Sequence, residues 1–261
     1  MIDYRVLHSV EELKQVEQLE IVIWGLNPID TVPVYVMHAA ILNGGIALGA
    51  YEGERMVGMA FAFTAKRGTE IYLWSHMTGV HQEYQGKGLG YELKQMQRRW
   101  ALNNGYETIR WTYDPLQRGN AHFNIALLGA TANVYHENFY GDMDDDINRG
   151  LPSDRVEAEW YLPAPKGRAQ PDTLLKKNTP PILNLIRVDD NGIAQTQLPP
   201  TWEYPSYFVP LPPSLGTLER EQRLAWRMAV RQALEVTFAQ GYAASAFVKN
   251  SNGYIVERAA Q

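Results

Sequence analysis

Residues 70–105 constrain the chain more than any other stretch. They open with a run suited to a buried strand, residues 71–80, and pass through a polar turn into Gln85-Gly86-Lys87-Gly88-Leu89-Gly90. Leu89, Leu93, Met96 and Trp100 then recur at spacings of four, three and four, which predicts one face of a helix. Gly105 stands where a helix end favours a residue that tolerates positive φ. Strand, glycine loop and helix in that order make a phosphate cradle. Glycines let the backbone approach closely, and the free N–H groups of the first helical turn point at the anion. Two common cradles are excluded: GxxxxGK[ST] does not occur, and Gly86, Gly88 and Gly90 do not fit GxGxxG. What remains is Q-x-x-G-x-G, made by Gln85, Gly88 and Gly90.

The chain before the loop alternates in a regular way. Residues 4–8 suit a short strand, and Ser9 with Glu11 and Glu12 suits a helix start, with Leu13, Val16 and Leu19 or Glu20 as its periodic positions. Asn27-Pro28 breaks that helix, and a second short one follows Pro33. Residues 47–51, a turn at Glu52-Gly53-Glu54, and residues 56–64 predict a hairpin, followed by the strand at 70–80. After Gly105 come a strand at 107–113, stopped by Asp114-Pro115, a short helix at 120–128, and strands at 134–140 and 155–162. Between those strands, residues 142–146 form an acidic loop without the Gly and distal Glu of a calcium-binding EF-hand, so a solvated loop is expected.

With the upstream Val80-His81-x-Glu83-Tyr84, the Q-x-x-G-x-G loop resembles the coenzyme A loop of the GNAT (Gcn5-related) N-acyltransferases, most of which carry Pro where this chain has Gln82. The element order on both sides is similar to that family. The resemblance covers residues 1–162 and implies an α+β fold with a mostly antiparallel central sheet flanked by helices. Residues 163–181, rich in Pro and Lys, are expected to be a linker, and 182–261 a smaller α+β region. That region repeats the order strand, loop, long helix, Gly-Tyr, strand, with Gly241-Tyr242 matching Gly105-Tyr106, and is expected to be either a degenerate GNAT-like half or an unrelated extension. Its loop is Pro210-Leu211-Pro212-Pro213, which cannot offer the same N–H groups. Arg220, Arg223, Arg227 and Arg231 share one face of its helix, and a solvated face partnered by acids is expected.

Composition narrows the function. The chain has 261 residues, 45 % of them apolar, and a net charge of −5, which does not favour nucleic acid. Cysteine is absent, which excludes a thiol nucleophile and disulfides and fits the cytoplasm. There is no signal-like or membrane-spanning run, and no histidine spacing typical of metal ligands. The resemblance implies acetyl-CoA or another acyl-CoA, succinyl-CoA included, as co-substrate. It implies that main-chain groups of Gln85, Gly86, Lys87, Gly88, Leu89 and Gly90 hold the pyrophosphate. The pantetheine arm would pair with Thr78, Gly79 and Val80 beside a bulge, with an oxyanion donor near Val80. Asn120 and Asn124, on one helix face, are candidates to hydrogen-bond the arm. The family's usual tyrosine acid falls at Ile125, so Tyr135 and Tyr140 are the substitutes. His76 is the candidate base, with His81 and Glu70 as alternatives. A succinyl carboxylate would call for Arg110, Arg118, Arg149 or Arg155. The acceptor expected is a small amine, in particular an amino acid. Rival readings are a coenzyme A-binding sensor or scaffold without turnover, and a structural homodimer partner.

Overall fold

The computed structural model describes residues 1–141, 150–163 and 182–259. The acidic loop at 142–146, Arg149 and nearly all of the expected linker lie outside the described residues. The described chain forms two compact units, one of residues 1–111 with 161–163, the other of residues 112–141, 150–160 and 182–259. Among these residues no helix is long and apolar enough to cross a membrane.

In the first unit, β1 (Ile2–Val6), β2 (Ile46–Glu52), β3 (Arg55–Arg67), β4 (Glu70–Val80) and β5 (Thr108–Tyr113, which ends in the second unit) lie in sequential order. All the pairings are antiparallel except β4 with β5, which are joined by the crossover helix α3 (Leu89–Asn103). Helix α1 (Val10–Trp24) starts at a Ser9–Glu12 capping box and ends at Gly25 in the left-handed region, φ 66°. Pro33 precedes α2 (Val34–Leu42). Residues alternate across the sheet. Met59, Phe61 and Met77 join Leu13, Val16, Leu19 and Met37 in one core against α1 and α2. On the other face a Cβ at Gly58 would meet Leu93 of α3 at 3.3 Å, so small side chains admit that helix. Gly79 is needed for a different reason: any Cβ there would meet Ile23 and Trp24 at 2.8–3.2 Å.

In the second unit the strand order is β7 (Arg155–Tyr161), β6 (Thr131–His136), β12 (Tyr242–Val248), β13 (Gly253–Arg258), β11 (Ser206–Pro210), β8 (Leu183–Asn184). β9 (Ile186–Val188) and β10 (Ala194–Thr196) form a separate ribbon. α5 (Arg220–Ala239) joins β11 to β12. Several sequence expectations shift here. β8 and β9 are separated at Leu185, whose N–H goes to Phe208. The strand expected to run to 140 stops at His136. Asn138 adopts φ 42°, its N–H is taken by Asp154, and its carboxamide accepts from Ser153. The helix at 120–128 is one turn of α4 (Arg118–Ala121) followed by a π-helical segment, His122–Leu127.

The arginine face of α5 also departs from expectation. Arg227 is fully buried and grips Asp114 with two hydrogen bonds, 2.7 and 2.9 Å. Arg231 reaches Asp154 at 2.8 and 2.7 Å. Those two arginines are internal ties, and their charge is paired.

Candidate active site

The site is built around β4. Its ladder with β5 covers only Leu73↔Ile109 and Trp74↔Arg110, whereas its ladder with β3 runs the whole strand. From Ser75 onward one edge therefore has no strand partner among the described residues. His81 donates its N–H to Val57 of β3 at 2.9 Å. By alternation the main chain of Gly79 also faces β3, while that of Thr78 and Val80 faces the open edge. Gln85 confirms the direction by donating its side-chain amide to the Val80 carbonyl at 3.2 Å. Thr78 adds a buried hydroxyl with no hydrogen-bond partner among the described residues.

The bulge expected beside Val80 lies elsewhere. The β3–β4 register steps from Phe61↔Met77 to Ala62↔Ser75, so the extra residue is His76. A bulge turns the strand and re-aims a side chain. His76 is exposed, and its ring stands 6.2 Å from the Phe61 ring and 5.8 Å from Phe63. Desolvation by the surrounding protein lowers its pKa from the ordinary histidine value. A neutral imidazole at neutral pH is the form a base requires.

The two alternatives fare differently. His81 faces the Glu83 N–H with Nδ1 (3.3 Å) and Arg55 with Nε2 (3.0 Å). It is the N-cap of the turn Gln82–Tyr84. Glu70 pairs with Arg110 at 2.8 Å at the far end of β4, about 20 Å of strand from His76.

The glycine loop lies beyond β4. Gly86 and Gly88 have φ 73° and 86°, and a Cβ at either would meet nothing within 4 Å. Gly88 is the N-cap of α3 and has no side chain to cap it; the first intrahelical bond is Glu92 N–H to Gly88, 3.1 Å. Residues 85–88 are exposed, and the Lys87 ammonium lies 4.9 Å from the Tyr84 ring. Uncapped N–H groups at the start of a long helix, with no side chain over them, suit a diphosphate.

The remaining candidates lie in the second unit. Asn120 is exposed and Asn124 buried; the switch to π geometry breaks the i, i+4 alignment expected of them. Ile125 is buried. Tyr135 donates to Asp154 at 2.7 Å, and burial together with that carboxylate raises its pKa. Its proton is held tightly. Tyr140 is half-exposed, with Thr112 Oγ1 at 3.3 Å and the Arg155 guanidinium 5.1 Å from its ring. Of the arginines considered for a donor carboxylate, Arg110 is engaged by Glu70, Arg155 is buried and donates to the Asp154 carbonyl, and Arg118 donates to that of Pro213.

Two buried titratable groups escaped the sequence reading. Lys94 is 2 % exposed on α3, whose buried residues are Leu89 and Leu93 of the expected face together with Lys94, Gln95, Gln97 and Ala101. The polar letters of Lys94, Gln95 and Gln97 hid their burial from a periodicity count. Glu20 is equally buried on α1; it accepts the Val32 N–H at 3.1 Å, its other oxygen has no partner among the described residues, and burial raises its pKa to about 7. The uncertain place of Glu20 in the α1 pattern was the only hint.

Comparison with known proteins agrees with this architecture. Residues 13–123 match the Acetyltransferase (GNAT) family. The Escherichia coli ribosomal-protein-S18-alanine N-acetyltransferase is similar in fold, at 13 % identity and TM-score 0.51, over 65 % of this chain and 98 % of its own. So is yncA of Salmonella typhimurium, solved with its cofactor acetyl-CoA, at 17 % identity and TM-score 0.51, over 64 % and 96 %. A GNAT-family acetyltransferase from Streptococcus pneumoniae follows at 12 % identity and TM-score 0.50, over 62 % and 99 %. No curated protein sequence matches the chain. The match to the GNAT family is confined to residues 13–123, and the chain shares the fold of these acetyltransferases.

Proposed function

We propose that the protein is an acyl-CoA-dependent N-acyltransferase that acts on a small-molecule amine, with an amino acid as the leading class of acceptor. The observation that carries this reading is the continuity of two open main-chain surfaces, the uncapped start of α3 and the unpaired edge of β4. The diphosphate of coenzyme A rests on the amides of residues 85–90, with Lys87 adding charge. The pantetheine arm adds to the β4 edge as a strand would, using main-chain groups of Thr78 and Val80 and the free Thr78 hydroxyl. The thioester then lies near the bulge at His76. There the imidazole takes the proton from the attacking nitrogen, and main-chain N–H groups released from the ladder stabilise the oxyanion.

The acyl group is acetyl or succinyl. The experiment is direct: acetyl-CoA and succinyl-CoA are supplied separately with a panel of amino acids and other small amines, and free thiol is followed. Thiol release that depends on the amine supports the enzyme and identifies the donor. Thermal stabilisation by coenzyme A without release would favour a binding module without turnover, a reading to which the apolar Ile125 lends weight. No stabilisation and no release would remove the cofactor altogether.

A further inference from the structure

β4 and β5 part just beyond the rung that joins Trp74 to Arg110. The next residue on each strand, Ser75 and Trp111, touches the same group. Lys94 Nζ donates to Ser75 Oγ at 2.9 Å and lies 3.8 Å from the centroid of the Trp111 ring. Its other partner is the Gln97 carboxamide oxygen at 3.1 Å. An ammonium thus sits buried at the fork between the strands, with a hydroxyl, an amide and a π face around it. Burying a charge without a counter-ion is costly. Burial alone brings its pKa down to about 7.

The charged groups nearby act elsewhere. On β4, His76 stands with Phe61 and Phe63 of the opposite face, and Glu70 engages Arg110. On β3, Arg55 engages His81 and Glu83. On β2, Tyr51 lies in the core against α1 and α2. On α3 itself, Glu92 acts on Tyr4.

We propose that Lys94 is the proton source for the departing thiolate, passing its proton through the Ser75 hydroxyl. The inference rests on the cofactor reading above, in which the arm runs along β4 from the glycine loop toward Ser75 and delivers its sulfur to the fork. The amine nitrogen attacks the thioester carbon and gives a tetrahedral intermediate. As that intermediate collapses, the C–S bond breaks and its electron pair moves to sulfur. The Ser75 hydroxyl gives its proton to sulfur and takes one from Lys94 Nζ, leaving a thiol and a neutral lysine. His76 holds the proton lost by nitrogen, releases it to solvent, and Lys94 regains one. The fork thereby supplies the acid that Ile125 cannot.

Steady-state kinetics across pH, with calorimetry of coenzyme A binding, test this. The expected wild-type kcat falls at high pH as Lys94 loses its proton. Lys94→Met lowers kcat by about a hundredfold or more, leaves KM and coenzyme A affinity unchanged, and abolishes the high-pH limb. The chain has no cysteine, so Lys94→Cys can be alkylated at a single site, unfolded and then refolded, to install an aminoethyl sulfide. That less basic amine should restore kcat with the limb moved to lower pH, a displacement that a filler of the cavity would not produce. Lys94→Met with kcat and limb intact, or an alkylated variant whose limb does not move, overturns the proposal. Should Lys94→Met not fold, Ser75→Ala decides: an unchanged limb overturns it, a lost limb supports it. A wild-type protein that fails to bind coenzyme A would instead overturn the cofactor reading beneath it. One that binds and turns over while the variants match it removes only the role of Lys94.

Discussion

Two passages of the chain use the same local order and end differently. β4, α3 and β5 run strand, helix, strand and turn at Gly105-Tyr106; β11, α5 and β12 do the same and turn at Gly241-Tyr242. Both tyrosine hydroxyls tie to a main-chain carbonyl, Tyr106 to Gly44 and Tyr242 to Tyr204, each at 2.7 Å. The helix starts differ. α3 begins on a bare glycine, whereas α5 begins on Glu219, whose N–H is taken by the Gln222 side chain at 3.1 Å. The loop before α5 is rich in proline, and Asn252 clamps the carbonyls of Leu211 and Pro212 at 3.0 and 2.7 Å. The flanking strands differ too: β4 and β5 part, while β13 fills the place between β11 and β12 and pairs with both. Each helix buries a cation, Lys94 without a carboxylate and Arg227 clasped by Asp114. The second passage caps its helix start, fills the gap between its strands and pairs its buried cation, where the first does none of these. Closed groups stabilise; open ones can meet a ligand.

This contrast can be broken by experiment, most sharply at the two cations. Arg227→Met strands the Asp114 carboxylate in the interior and should cost about 3–5 kcal/mol in urea unfolding. Lys94→Met removes an unpaired charge and should cost far less, or stabilise. Equal losses would erase the distinction. The pH dependence of unfolding should follow. Lys94 binds fewer protons folded than unfolded between its lowered pKa, about 7, and the usual lysine range, so stability rises as pH increases across that window. The rise is on the order of a few kcal/mol and should vanish in Lys94→Met. Glu20 gives the opposite slope: its raised pKa means the folded chain binds more protons, so stability falls as pH rises from the usual carboxylate range to about 7, and Glu20→Gln should flatten that fall.

At the helix starts the effect is on binding. Gly88→Ala forces a Cβ onto φ 86° and crowds the cradle, so coenzyme A affinity measured by calorimetry should drop about tenfold. Gly216→Ala, in the corresponding approach to α5, should leave that affinity unchanged. The smallest change is expected from Lys87→Ala, an exposed charge, with a loss of about two- to fivefold that shrinks as salt is added.

The amino-acid order alone determined the strand–loop–helix at 70–105, the capping of α1 at Ser9 and the left-handed position at Gly105, because these depend on local sterics and on groups a few residues apart. It also placed Asp114 as a strand stop, but not as the partner of Arg227, and it took the arginine face of α5 for a solvated one. Pairings across a hundred residues carry no local signature. The bulge at His76 was likewise decided by the register of β3 against β4. Lys94 is the clearest case. Its letter reads as surface, and only the assembled sheet, with Ser75 and Trp111 meeting it where two strands separate, turned it into a buried amine. Burial is a property of neighbours in space, and a sequence lists neighbours only along the chain.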